Sequence, residues 1–176
     1  MAKRFTREEI KQRFQASIDA GQPIVIASAG IGIAAKFAER GGADMIGLFN
    51  SSYLGLGRVE ATSLMPYGNA NDIVMSLGDR IFPVVQNTPI LGGIIGSDPT
   101  REMTPFLKIM QFKGFPAVIN FPSPGFAYGQ HRRNLERNNY GVQQELKTLR
   151  TAKELGFYTF GLAYDEEIAM QIAADN

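Results

Sequence analysis

The sequence predicts an α/β chain made of repeated strand–helix units. Short runs that are apolar on both faces alternate with segments of helical period, and the helices between them end at glycine a few residues before the next run. The longest connections all leave the same end of these runs. A strand that is apolar on both faces needs cover on both sides, which is the condition of a parallel sheet packed against helices.

Residues 5–20 open the chain with a helix. Phe5, Ile10, Phe14 and Ile18 share one stripe, Thr6 with Glu9 fits a capping box, and Gly21 is placed to end it. Strands are then expected over 24–27, 45–49, 90–95, 117–121 and 158–163, with helices over 33–40, 70–82, 104–113 and 142–155. In the last of these helices Val142, Leu146, Leu149 and Ala152 recur at three or four residues. A further helix begins near Asp165, an acid well placed to cap it, with Glu166 and Glu167 against the helix dipole. "AERGGADMIGLF", "MQFKGFPAVINF" and "KELGFYTFGLA" repeat one design: the glycine takes the left-handed turn that ends a helix, and an apolar run follows. These units suit an open flavodoxin-like sheet and equally the first part of a (β/α)8 barrel.

At 44% hydrophobic and 20% charged residues the chain has the balance of a globular domain, and residues 1–176 read as one domain. A net charge of +1 gives no field for nucleic acid or a membrane surface. The absence of cysteine excludes disulfides, thiolate metal sites and a cysteine nucleophile. With a charged N-terminus and no long apolar stretch, the expectation is a cytoplasmic protein without membrane contact.

Gly30, Gly32 and Ala35 fit G-x-G-x-x-A between a strand and a helix. A dinucleotide site also needs an acid at the end of the next strand, and that strand ends in Phe49, Asn50 and Ser51. Asp44 stands at its other end. NAD is therefore not expected, nor haem, and the turn reads as close packing or as a site for an anionic group at a helix N-terminus.

Both long connections, 50–68 and 122–141, leave the carboxyl ends of strands, which is where ligands bind in either architecture. Ser28, Asn50, Ser51 and Asn120 supply neutral hydrogen-bonding groups there, suited to a carboxylate or carbonyl. Arg58 and Glu60 lie in the first connection, and Tyr128, His131, Arg132 and Arg133 in the second; arginine forks bind carboxylate and phosphate. Asp98 reads as a helix N-cap followed by Pro99, and also as a ligand for a metal or a water.

The blocks "PIVIASAGIGIAAKFAERGGADMIGLFNSS", "SLMPYGNAN", "TPILGGIIGSDP", "GFPAVINFPSPG" and "HRRNLE", in this order, resemble the phosphoenolpyruvate hydrolase-like TIM-barrel family, grouped with the isocitrate lyase and phosphoenolpyruvate mutase superfamily. The resemblance implies a (β/α)8 barrel, of which this chain carries about five to six βα units, with its ligand at the carboxyl face. It implies an enzyme, a hydrolase or lyase, acting on a small phosphorylated or carboxylated three-carbon acid. In that reading Asp98 and Arg132 are catalytic, Ser28, Asn50 and Asn120 orient the carboxylate with Gly30 and Ser51 also in the substrate site, and Arg132 with Arg58 neutralises the second anion. Asp98 holds a water or Mg²⁺. The superfamily's magnesium enzymes place acids at the ends of strands 2, 3 and 4, whereas only Asp98 matches here. The alternative is a ligand-sensing or assembly module without turnover. An incomplete barrel also implies a homo-oligomer or a further partner covering the open edge.

Overall fold

The computed structural model describes residues 3–54 and 68–175. The chain runs α1 (Arg7–Asp19), β1 (Ile26–Ser28), α2 (Gly32–Arg40), β2 (Met45–Leu48), a 3₁₀ turn (Asn50–Leu54), α3 (Ala70–Ile81), β3 (Ile90–Gly93) and α4 (Met103–Lys113). It continues with β4 (Ala117–Ile119), a second 3₁₀ turn (Pro124–Phe126), α5 (Gly129–Arg137), α6 (Val142–Glu154), β5 (Tyr158–Phe160) and α7 (Glu166–Asp175).

The five strands form one parallel sheet in the order β1-β2-β3-β4-β5. Spatial order equals chain order, so every crossover steps the same way. A doubly wound sheet reverses direction at a switch point and carries helices on both faces. The chain therefore has the winding of a barrel wall, and the flavodoxin-like alternative is set aside.

The alternation of side chains along each strand separates two cores. Ile46, Leu48, Ile90, Ile94 and Val118 pack against Val74, Leu77 and Ile81 of α3, Leu107 and Met110 of α4, and Leu146 and Ala152 of α6. Met45, Leu91 and Ala117 point the other way and meet Ile10 and Phe14 of α1. This is why the strands read as apolar on both faces. Each fully buried leucine or isoleucine contributes about 2 kcal/mol of transfer free energy. On the α1 face, two glycines make room for one ring: a Cβ at Gly47 or at Gly93 would stand 2.6 Å from Phe49. Phe49 meets Phe121 edge-to-face with ring centroids 5.3 Å apart, so aromatic carbon lines this face at the carboxyl end of the sheet.

The start of α1 follows its sequence signal. Thr6 Oγ1 accepts from the Glu9 amide, and Glu9 Oε2 accepts from the Thr6 amide. Asp165 caps α7 by accepting from the Ile168 amide at 2.8 Å. The strands, however, are shorter than expected. β1 starts two residues late, because the Val25 amide donates to the Asp44 carboxylate at 2.8 Å. That carboxylate also accepts from Ser17 of α1, so Asp44 ties the amino end of the sheet to the first helix.

Two further expectations are corrected. α4 begins at Met103 with Glu102 as its N-cap, so Asp98 does not cap it. Asp98 instead closes a tight turn, accepting from the amide and the hydroxyl of Thr100 at 2.9 and 2.6 Å. The connection over 122–141 holds a complete helix, α5, which has no buried residue. It is held by polar pairs one turn apart, Gln130 to Asn134 at 2.8 Å and Arg132 to Glu136 at 2.8 Å, and so shows no apolar period.

Candidate functional site at the carboxyl rim

Because every strand is parallel, all five carboxyl ends face one rim, and the polar residues singled out in the sequence arrive there together. The structure sorts the described ones into three clusters rather than one pocket.

The first cluster joins β1 to the turn after β2. Ser28, exposed at the end of β1, has its Oγ 2.7 Å from Oγ of the buried Ser52. A Cβ at Gly30 would collide with the Ser52 carbonyl, so the first glycine of the G-x-G turn is required by close backbone approach. Asn50 is buried where the 3₁₀ turn packs against α3, and Ser51 beside it is half-buried. Ile31, the N-cap of α2, makes no side-chain cap bond. Arg58 and Glu60 lie outside the described residues.

The second cluster surrounds Asp98. Its Oδ2 accepts from Asn69 and Asn71, each at 2.9 Å, while Oδ1 takes the two bonds from Thr100. Arg101 Nε stands 2.6 Å from Oδ2 with its N–H turned off the line of contact, so the pair is ionic rather than hydrogen-bonded. Arg101 also reaches Asp72 at 3.0 Å and lies over the Phe106 ring. Burial alone would raise the Asp98 pKa. The hydrogen bonds from Thr100, Asn69 and Asn71 outweigh it and hold the group well below the usual carboxylate range. Asn71 in addition accepts from the Ile95 amide and donates to its carbonyl, which fastens the β3–α4 loop to α3.

The third cluster is centred on a residue the sequence reading did not single out, Glu145 in the first turn of α6. Its side chain is fully buried. Oε1 accepts from Asn120 at 2.6 Å and from Ser123 at 2.9 Å. Asn120 also donates to the Leu162 carbonyl and accepts from the Leu162 amide, so its amide is wholly used in joining β4, β5 and α6. Arg132 donates to Glu136 at 2.8 Å and to the Gly125 carbonyl at 3.4 Å. Burial pushes the Glu145 carboxyl up to about 7, against the pull of Asn120, Ser123 and the nearby Arg132. The only sequence signal for it is a carboxylate in the apolar stripe of α6, one residue before Leu146.

Asn120, Arg132 and Asp98 thus serve the protein's own joints. The same geometry tests Mg²⁺. A hard cation asks for several oxygen ligands, and both Asp98 oxygens are already engaged. Among the described residues no three histidine, cysteine or acidic side chains are grouped to hold a metal. The described residues do not fit Mg²⁺, and no step is derived through it.

A sequential parallel sheet with its crossover helices on one face, α1 on the other and a polar rim at its strand ends defines a domain of the TIM-barrel class. In keeping with this, the fold is similar to that of a phosphoenolpyruvate phosphomutase from Streptomyces platensis subsp. rosaceus, with a TM-score of 0.61 at 17% identity over 94% of this chain and 61% of that one. The chain belongs to the phosphoenolpyruvate hydrolase-like family, whose sequence pattern matches residues 9–175. It is 40% identical over 164 residues to the ToMV susceptible protein tm-1(GCR26) of Solanum lycopersicum, and 39% identical over 167 residues to the ToMV resistance protein Tm-1(GCR237) of the same plant. These matches cover 92% and 93% of this chain but 22% of each tomato protein, so the chain spans about a fifth of their length.

Proposed function

We propose that this domain is a non-catalytic recognition module for a small anion of the carboxylate or phosphate class, bound at the rim beside β1 and β2. The observation that carries this reading is the saturation of the rim. Asp98 takes four hydrogen bonds from the protein, Asn120 spends its whole amide on β5 and α6, and Arg132 is bound to Glu136 and Gly125. Hydrolysis of an enol phosphate needs groups positioned to stabilise developing charge or to move a proton. Recognition of an anion needs only donors, and the exposed Ser28 hydroxyl and the α2 N-terminus supply them. Arg58, in the adjoining connection, is the cation best placed in sequence to complete the charge balance.

Calorimetry with phosphoenolpyruvate and with oxalate, paired with a phosphate-release assay, tests the reading. We expect binding that weakens about five- to tenfold in Ser28→Ala, the loss of one net hydrogen bond. Phosphate release should remain at the uncatalysed rate in the wild type and in Asp98→Ala alike. Release above background in the wild type would establish the hydrolase instead, and no heat with either anion would remove the recognition claim.

A further inference from the structure

The first rim cluster contains a hydrogen bond whose direction is decided by its surroundings. Ser28 Oγ and Ser52 Oγ stand 2.7 Å apart, and either hydroxyl could be the donor in that pair. Their environments differ. Ser52 is 3% exposed, and among the described residues Ser28 Oγ is the one hydrogen-bond partner its hydroxyl has. Ser28 is exposed at the end of β1, where water can take its proton. A buried donor left unmatched loses its hydration with nothing in return, whereas an exposed one keeps a water partner. Ser52 therefore donates, and Ser28 Oγ accepts.

The backbone fixes Ser52 from both sides. Its amide donates to the Phe49 carbonyl at 2.9 Å, at the start of the 3₁₀ turn. Its carbonyl occupies the space that a Cβ at Gly30 would need. The first glycine of the G-x-G turn thus lets the turn after β2 press against the turn after β1, and this approach brings the two hydroxyls together. Ser28 is also in register with Gly47 of β2. Gly47 has no side chain, and the Phe49 ring stands in the space it leaves. The neighbour of Ser28 on β2 therefore brings no side-chain acceptor for the Ser28 proton.

We propose that Ser52 is a positioning residue for the rim beside β1 and β2: its buried hydroxyl donates to Ser28 Oγ and turns the Ser28 proton outward, so that Ser28 is a committed donor to an oxygen of the bound anion. This role rests on the anion-recognition reading of the same rim. A hydroxyl that accepts one hydrogen bond donates its own more strongly, because the two bonds polarise each other. The outward proton is also aimed before the ligand arrives, so less rotational freedom is lost on binding. A ligand that brings an acceptor oxygen to Ser28, as a carboxylate or phosphate does, meets the proton directly. A ligand that brings an N–H to the same point meets a second donor, so the serine pair selects acceptors over donors. Without the Ser52 hydroxyl, Ser28 Oγ rotates freely and this bias is lost.

Neutron diffraction from crystals of the chain in deuterium oxide locates these protons with no ligand bound. We expect deuterium on Ser52 Oγ along the line to Ser28 Oγ, and the Ser28 deuterium turned to solvent. Deuterium on Ser28 Oγ aimed at Ser52 would overturn the assignment. Calorimetry with oxalate reads the consequence. Ser52→Ala should weaken binding about threefold, and in a Ser28→Ala background it should have no further effect. Ser52→Thr, which keeps the hydroxyl, should bind as the wild type does. Equal weakening in Ser52→Thr and Ser52→Ala, at an unchanged unfolding midpoint, would put packing in place of the hydroxyl and overturn the role. Full additivity of the Ser28 and Ser52 changes would overturn it as well. No heat from oxalate with the wild type would remove the recognition reading and this role with it, whereas misdirected deuterium beside normal oxalate binding would remove only the role of Ser52.

Discussion

Asp98 and Glu145 are both buried carboxyl groups on one rim, and they shift in opposite directions because hydrogen bonds outweigh burial at Asp98 while burial outweighs hydrogen bonds at Glu145. Asp98 is surrounded by donors and an arginine, so ionisation is favoured in the fold. Its depressed pKa contributes stability that is present above about pH 4 and is lost as the pH falls below it. Asp98→Ala leaves Asn69, Asn71 and Arg101 without their acceptor, and we expect a loss of about 3 kcal/mol in urea unfolding at pH 7. Asp98→Asn should remove most of the acid-side decline. Glu145 has the reverse sign. Its folded pKa is raised, so its contribution is complete below about pH 4.5 and is lost as the pH rises through about 7. The wild type should lose on the order of 3 kcal/mol across that window relative to Glu145→Gln, whose unfolding free energy should lack this fall. Matching pH profiles for the two proteins would show that Glu145 does not carry the shifted proton.

At the scale of elements, the helices with an apolar stripe were legible, and so was the capping box of α1, because local spacing alone determines them. α5 was not legible. Its sequence, "GQHRRNLER", pairs polar groups along its own axis and offers the core nothing, so no period marks it. Its attachment is made at the junction with α6, where Glu136 caps the next helix and Gly141 leaves space for the Glu136 carboxylate. A Cβ at Gly141 would collide with that carboxylate. We expect Gly141→Ala to cost about 1–2 kcal/mol, the worth of a lost cap with some strain. In a Glu136→Ala background the same change should cost much less. A double-mutant cycle in urea measures the difference, and strict additivity would contradict the cap.

At the scale of the whole molecule, β1 and β5 each pair on one side only. The β1 edge exposes apolar side chains, with Val25 at 48% and Ile26 at 37%. An unpaired apolar edge favours association. We propose that the chain self-associates through this edge, and that Ile26→Lys shifts it toward the monomer in light scattering. A wild type that stays monomeric as concentration rises would refute the edge contact. Among the described residues no helix is long and apolar enough to cross a membrane.

The sequence by itself determined the alternation of strands and helices, the glycine stops between them, and the rim where polar residues collect. Those features depend on periods of two and 3.6 and on single-residue backbone preferences, which act locally. Only the tertiary structure decided the winding, because strand order depends on which non-neighbouring segments pair. It also decided what the rim residues do. Asn120 stands two residues after Val118, on the strand face that meets the helices, and its partners come from α6 and from Leu162, far along the chain. A side chain's availability to a ligand is what remains after such distant contacts are made, and no local pattern carries that remainder.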